Sequence, residues 1–261
     1  MCGIAGFVGR VNRKDAVDLL VRLGKETVVR GEDAWGLMFK SGKLVQYTKS
    51  PGSFGEVSKK EIFKLLPEKV EVVALHCRAA TQGSPQNNEN NHPVVASSNM
   101  FWVMHNGVVH EFKHSYDDWW RNYNLRLLNF DEGQSDVVDT MLICEKLDEF
   151  ELNRKYEPTV VWWSEALSYV KKELSGSMAL CIFVPEPFGM ILWGQPMQIA
   201  VYPEQDLIIF GSTQNIVSVL SPQIWGIKVR PPMISLDYSK GLFFDGKKFS
   251  EFVVRTVNYW R

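Results

Sequence analysis

The sequence predicts an α+β layered domain, because segments with strand character lie at both ends of the chain and helical patterns occupy its middle. The strands do not alternate regularly with helices, as they would in a doubly wound parallel sheet. No linker, fixed-period repeat or low-complexity tract divides the 261 residues. We therefore expect a single domain over residues 1–261.

The individual elements follow from apolar alternation, helical periodicity and turn residues. In the first half these signals predict strands at 3–9, 35–40, 43–48, 70–77, 94–97 and 101–109. They predict helices at 14–28, 58–66, 136–149 and 160–174. Later strands are predicted at SMALCIFV, GMILW, MQIAVY and DLIIFG, and FFDGKKF is a predicted hairpin around Asp245-Gly246.

Composition excludes several functional classes. Lys+Arg 29 nearly cancels Asp+Glu 30, so net charge gives no reason to expect binding to nucleic acid or to an anionic membrane. The N-terminal run is broken by glycines and arginines and lacks signal-peptide character, and no stretch approaches the roughly 18 apolar residues of a membrane span. We expect a cytoplasmic protein without a nucleic-acid or membrane partner.

The cysteines suggest chemistry at one position. The four lie at 2, 77, 144 and 181 without CxxC spacing, so no disulfide framework, metal site or cofactor is predicted. Removal of Met1 would place a thiol and a free α-amine on Cys2. That amine, with an ordinary pKa of about 7.7–8.0, can accept the thiol proton, and the thiolate can attack an amide. Alternatively, Cys2 is a small apolar residue that opens a buried strand.

A series of sequence blocks gives Cys2 a context. In chain order they are MCGIAGFVG, RGEDAWGLMF at 30–39, HCRAATQGSP at 76–85, NNHPVV at 90–95, VMHNGVVHE at 103–111, GQSDVVDT at 133–140 and GSMALCIF at 176–183. This series resembles the class II glutamine amidotransferase domain, one of the N-terminal nucleophile hydrolases, over about residues 1–220. The resemblance implies a four-layer αββα sandwich whose first strand presents Cys2 between two sheets.

The resemblance also implies a catalytic group. Cys2 would be the nucleophile, and Asn106 and Gly107 would form the oxyanion hole through the side-chain amide and the backbone N–H. The alternative is that His105-Asn106-Gly107 is only a tight turn after a strand, because Asn-Gly is a strong turn signal.

Substrate binding is implied for three further residues. Arg78 would hold the α-carboxylate of glutamine, for which a planar guanidinium is well suited, and Thr81 would contact the same carboxylate. Asp136 would pair with the α-ammonium group. Alternatively, Arg78 closes a strand in a surface ion pair, and Asp136 is a first-turn acid after a Ser135 N-cap.

Arg30 and Gly31 match a block that braces the nucleophile strand, so we expect them to be supporting residues. His76, His92 and His105 are predicted to be hydrogen-bonded core histidines, because a nucleophile with its own amine needs no imidazole. The sugar-amidating branch has other residues where this chain has Ala79 and Gln82, so the loop over the substrate is expected to close differently.

Two polar segments have open interpretations. Residues 82–92 read as a functional loop or a disordered surface, and residues 111–133 as an amphipathic surface or a docking segment.

The resemblance implies hydrolysis of L-glutamine to glutamate and ammonia through a Cys2 thioester, with ammonia supplied to a separate synthase. The alternatives are a self-sufficient amidohydrolase acting on a γ-glutamyl or other small amide, and an inactive scaffold. The combination of Cys2, Asn106 and Gly107 disfavours the scaffold.

Overall fold

The computed structural model describes residues 1–111, 137–204, 206–218, 234–236 and 238–255. Its strands are β1 (Gly3–Asn12), β2 (Ala34–Ser41), β3 (Leu44–Pro51), β4 (Lys69–Arg78), β5 (Val94–Val95), β6 (Trp102–Glu111), β7 (Leu174–Val184), β8 (Gly189–Gln195), β9 (Ala200–Glu204), β10 (Leu207–Gly211), β11 (Ile234–Ser235), β12 (Lys240–Phe244) and β13 (Phe249–Val253). Its α-helices are α1 (Arg13–Val28), α2 (Lys59–Leu65), α3 (Thr140–Asn153), α4 (Val160–Glu173) and α5 (Gln214–Ser218), with 3₁₀ turns at Phe54–Glu56 and Asn88–Asn90.

The strands form two antiparallel sheets. The first has the order β11-β9-β10-β1-β4-β2-β3, and the second has the order β13-β12-β8-β7-β6-β5. Strand β1 lies inside the first sheet between β10 and β4, where Ala5 pairs with Gly211 and Gly3 pairs with Cys77. The first residues of β1 are buried on both faces, which accounts for their continuous apolar character.

Three hydrophobic cores separate four layers. One packs α1 and α2 against the first sheet, with Leu20 and Leu23 facing Phe7 and Leu75. A second lies between the sheets, and a third packs α3 and α4 on the second sheet around Trp162. The αββα sandwich with an α+β composition is therefore confirmed.

Local signals account for most of the elements. Asn12 caps α1 by accepting from the Asp15 N–H at 3.0 Å, and Ser58 and Glu61 form a capping box at the start of α2. All the predicted strands and helices occur, including the pairing of β9 with β10 and of β12 with β13. Helix α3 begins at Thr140 with Asp139 at its N-cap, so the predicted start at 136 is wrong, and so is the alternative that Ser135 caps this helix.

None of the helices in the described parts of the chain combines the length and apolarity needed to cross a bilayer.

Candidate active site

Cys2 lies at the N-terminal end of β1, beside the C-terminal end of β4. Its thiol donates to the Ala79 carbonyl at 3.6 Å, and its own carbonyl accepts from Arg30 Nε at 2.9 Å. Burial raises the pKa of the half-buried Cys2 thiol, and the Asp139 carboxylate adds to the increase while Arg78 opposes it. Cys2 is therefore not a fully buried core cysteine, unlike Cys77, Cys144 and Cys181.

Residues 30–36 hold the backbone that follows β4. Asp33 Oδ2 accepts from the Ala80 N–H at 2.7 Å, and the Asp33 N–H donates to the Arg78 carbonyl at 3.0 Å. A Cβ at Gly31 would lie 2.3 Å from the Ala79 nitrogen, so only glycine allows this close approach. Residues 30–36 therefore contact the Cys2 carbonyl through Arg30 and the backbone of residues 78–80 through Gly31 and Asp33.

Asn106 and Gly107 lie in the middle of β6, paired with Ala179 and Met178 of β7. The alternative of a tight turn at these residues is therefore wrong. The Asn106 side chain is completely buried, and neither its amide nitrogen nor its oxygen has a hydrogen-bond partner among the described residues. Buried polar atoms without partners are rare, so they mark positions where a functional role should be sought.

The backbone at Gly107 requires glycine. Its φ is +144°, and a Cβ there would lie 1.9 Å from the Ser177 carbonyl oxygen. No other residue fits this position without moving β7 away from β6.

A hydrogen bond joins the sheet that contains β1 to the sheet that carries Asn106. His76 lies opposite Ile4 in the pairing of β1 with β4. His76 Nε2 lies 3.0 Å from the main-chain oxygen of His105, the residue before Asn106. Strand β1 also contacts β6 directly. Ile4, two residues after Cys2, is thus paired with the residue that bonds to the strand of Asn106 and Gly107, and Arg78 ends the same strand as His76.

Arg78 is buried, with 2% of its surface exposed. Nη1 donates to Asn91 Oδ1 at 2.9 Å, and Nη2 donates to the carbonyls of Gly83, at 2.9 Å, and Gln82. The alternative of a surface ion pair at Arg78 is therefore wrong. Thr81 is exposed in the same loop.

The loop over residues 82–92 is held by its own polar side chains. Asn91, which is fully buried, donates from Nδ2 to the Pro85 carbonyl at 2.7 Å, and Asn90 Nδ2 donates to the Ser84 carbonyl at 3.3 Å. The interpretation of 82–92 as a disordered surface is therefore wrong.

The three motif histidines are buried beside the site. The rings of His76 and His92 stack with centroids 3.9 Å apart, and Thr140 Oγ1 lies within hydrogen-bonding distance of both His92 and His105. Burial lowers the pKa of His76 to about 3 and also lowers the pKa values of His92 and His105. They are hydrogen-bonded core residues, as the sequence predicts.

One predicted site residue and one predicted segment lie outside the part of the chain that the structure describes. Asp136 and most of residues 111–133 lie outside the described residues. Sequence reasoning did not assign roles to four residues inside the quoted blocks, and only their position in the motifs pointed to them: Asp33, Asn91, Asp139 and Thr140. Among the described residues, no group of three His, Cys, Asp or Glu side chains is placed to hold a metal ion.

Comparison with curated proteins finds similarity to longer enzymes. Glutamine–fructose-6-phosphate aminotransferase (isomerizing) of Listeria monocytogenes serovar 1/2a is 25% identical over 237 residues, which cover 86% of this chain and 35% of that protein. The enzyme of the same name from Corynebacterium glutamicum is 30% identical over 115 residues, 43% of this chain and 18% of that protein. The chain thus spans about a third or less of the length of these relatives.

Solved structures share the fold. Glutamine phosphoribosylpyrophosphate amidotransferase from B. subtilis superposes with a TM-score of 0.63 at 16% identity, over 97% of this chain and 49% of that chain. A glutamine aminotransferase class-II domain protein from Silicibacter pomeroyi gives a TM-score of 0.50 at 7% identity, over 98% of this chain and 100% of that chain.

A family model described as glutamine amidotransferases class-II matches residues 6–138, which is half of the chain. The matched region contains the Arg30 block, the end of β4 and the Asn106-Gly107 pair, and it begins four residues after Cys2. The chain belongs to the class-II glutamine amidotransferases.

Proposed function

We propose that the protein hydrolyses L-glutamine to glutamate and ammonia, with Cys2 as the nucleophile after removal of Met1. The observation that carries this proposal is the fully buried amide of Asn106, which has no hydrogen-bond partner among the described residues. It follows His105, whose carbonyl bonds to His76, the residue paired with Ile4 of β1. An amide held without a partner is preorganised to donate to an oxyanion and needs no bond to be broken first. Met1 is exposed, with 76% of its surface accessible, which suits its removal.

The proposed chemistry uses the two functional groups of one residue. The α-amine of processed Cys2 takes the thiol proton, and the sulfur attacks the side-chain amide carbon of glutamine. Asn106 and the Gly107 N–H stabilise the oxyanion. The C–N bond then breaks as the ammonium returns its proton to the leaving nitrogen, so ammonia and a thioester form. Water attacks the thioester with the same amine as base, which releases glutamate and the free thiol.

Substrate recognition is the next part of the proposal. Arg78, Thr81 and Asp136 would bind the amino-acid end of glutamine, the first two at the carboxylate and the third at the ammonium group. The Arg78 guanidinium already donates to the carbonyls of Gln82 and Gly83. Bidentate binding of a carboxylate through Nη2 would therefore displace these two carbonyls, so the loop over 82–92 would act as a gate for the substrate.

We further propose that ammonia passes to a separate synthase. The curated relatives are named for amino transfer to fructose 6-phosphate, and this chain corresponds to 35% of the length of the Listeria monocytogenes enzyme. A partner that orders the segments over 30–36 and 79–92 would then increase turnover.

The test measures glutamate release by protein whose intact mass shows the loss of Met1. We expect weak release alone and faster release when candidate synthases and acceptors are added. Cys2→Ala should abolish release, whereas Cys144→Ala should retain it because Cys144 packs between α3 and the second sheet. A diazo-ketone glutamine analogue should label Cys2 alone. Full activity with Met1 retained would contradict the amine mechanism, and faster cleavage of another γ-glutamyl amide without a partner would favour the self-sufficient amidohydrolase.

A further inference from the structure

A directed hydrogen-bond chain runs through the buried histidines, and its direction follows from the partners. His105 Nε2 lies 3.1 Å from the Ser177 carbonyl oxygen, which can only accept, so Nε2 carries the hydrogen. In a neutral imidazole the other nitrogen is then an acceptor. His105 Nδ1 lies 3.1 Å from Thr140 Oγ1, so the Thr140 hydroxyl donates to it.

The same reasoning assigns the tautomers of the His92 and His76 rings. Because the Thr140 hydroxyl hydrogen points at His105, its oxygen accepts from His92 Nε2 at 2.9 Å. His76 Nε2 donates to the His105 carbonyl at 3.0 Å. The Nδ1 atoms of His76 and His92 have no partner among the described residues, as expected of bare acceptors. All three rings are thus neutral Nε2–H tautomers, and the completely buried Thr140 sets two of them.

This chain of hydrogen bonds ends beside Gly107, the glycine of the proposed oxyanion hole. The atoms nearest to a Cβ built at Gly107 include the Ser177 carbonyl oxygen at 1.9 Å and His105 Nε2 at 2.8 Å. These two atoms are the acceptor and the donor of one hydrogen bond. The bond therefore lies against the Gly107 backbone and joins β6 to β7 at that point.

We propose that Thr140 is a positioning residue for the oxyanion hole: its hydroxyl keeps His105 in the Nε2–H tautomer, and the resulting bond to Ser177 holds the Gly107 backbone in place. This inference rests on the proposed function for the identity of the oxyanion hole. Thr140 need not touch the substrate, because it acts through His105.

The electrostatic surroundings explain why a hydroxyl is needed. Asp139 Oδ1 lies 3.9 Å from His105 Nδ1, and Asp139 Oδ2 accepts from the Val109 N–H at 2.9 Å. Without the hydroxyl, this carboxylate would favour a second proton on His105. The other titratable or charged groups that act on this cluster within the described residues are His76, His92, Arg78 and Lys49.

The experiment compares Thr140→Val, which removes the hydroxyl, with Thr140→Ser, which keeps it. Thr27→Val is the matched control, because Thr27 is equally buried but its hydroxyl donates to the Leu23 carbonyl within α1. Imidazole ¹⁵N NMR reports the tautomer of His105, and the backbone amide resonance of Gly107 reports its position. Glutamate release is measured across pH to separate kcat from KM.

We expect Thr140→Val to lose the pure Nε2–H signature of His105, to shift the Gly107 amide, and to lower kcat about 10- to 100-fold with KM little changed. As the pH is lowered, Thr140→Val should lose activity at a higher pH than the parent protein does, because the pKa of His105 rises in the variant. Thr140→Ser and Thr27→Val should resemble the parent protein in all these measurements.

An unchanged His105 tautomer and Gly107 amide in Thr140→Val would overturn the inference, as would equal loss of activity in a folded Thr140→Ser. Both NMR readouts are independent of catalysis. If the parent protein does not hydrolyse glutamine, the proposed function fails, and the resonances still decide whether Thr140 positions Gly107.

Discussion

Replacing Asn106 by leucine should stabilise the protein while it removes activity. Leucine has the same number of side-chain heavy atoms and the same branching as asparagine, but no polar atom. The Asn106 amide is fully buried with both polar atoms unpaired among the described residues, and an unsatisfied buried polar group costs about 1–3 kcal/mol. We expect the free energy of unfolding to rise by about that amount, which raises Tm by roughly 2–10 °C for a chain of this size.

The same change removes one oxyanion donor, so kcat for glutamate release should fall about 100- to 1000-fold. Asn90→Leu is the matched control for stability. Asn90 is also buried, but its amide donates to the Ser84 carbonyl and accepts from the Val138 N–H. That variant should therefore lower Tm. Thermal unfolding followed by circular dichroism, with glutamate release measured in parallel, checks both. If Asn106→Leu is destabilised like Asn90→Leu, or keeps its activity, the reasoning about a preorganised amide is refuted.

Three further outcomes are expected. Gly107→Ala should lower the free energy of unfolding, measured in urea, by at least about 1–3 kcal/mol, because its φ is +144° and its Cβ meets the Ser177 carbonyl. Gly42→Ala is the control, because a Cβ at Gly42 has open space around it. An equal or larger loss of unfolding free energy in Gly42→Ala would contradict this prediction. His76, with a pKa lowered from 6.5 to about 3, stabilises the fold above pH 6.5 and loses that contribution as pH falls towards 3, by about 1.4 kcal/mol per pH unit. His76→Asn should reduce this slope in urea unfolding measured from pH 7 to 4, and an unchanged slope would argue against a buried neutral ring. In protein that retains Met1, alkylation of Cys2 by iodoacetamide should keep rising above pH 9, because burial raises the pKa of its thiol; equally fast native-state labelling at other cysteines would contradict the burial of Cys77, Cys144 and Cys181.

Most elements could be predicted from the sequence because their signals are local. Ser58 and Glu61 form a capping box within four residues, and the apolar run in β7 reads directly as a strand buried on both faces. Local preference gave a misleading alternative at Asn106-Gly107, where the dipeptide favours a turn. The register of β6 with β7 extends from Trp102 to Glu111, and this long pairing overrides the turn preference.

The candidate site was predictable only where the motifs name the residues. The burial of Arg78 depends on the main-chain carbonyls of Gln82 and Gly83 and on the Asn91 side chain, which lie 4 to 13 residues further along the chain. The bonds from Thr140 to His92 and His105 span 48 and 35 residues, and they exist only once α3 packs on β6. No periodicity or spacing encodes such contacts, so the tautomer of His105 could not be read from the sequence.

The hydrogen bond from His76 to the His105 carbonyl crosses from one sheet to the other. The proposed nucleophile Cys2 therefore precedes a strand of one sheet, whereas the proposed oxyanion donors Asn106 and Gly107 lie on a strand of the other sheet. Their relative alignment is set by the apolar side chains between the sheets, such as Met104, Phe183 and Phe210. Because packed interiors transmit small shifts, loss of a single methylene group from this layer would change the position of the Cys2 sulfur relative to Asn106 and Gly107. In this architecture the central hydrophobic layer sets the relative position of the proposed nucleophile and oxyanion donors. A substitution in this layer should therefore lower turnover before it lowers the melting temperature.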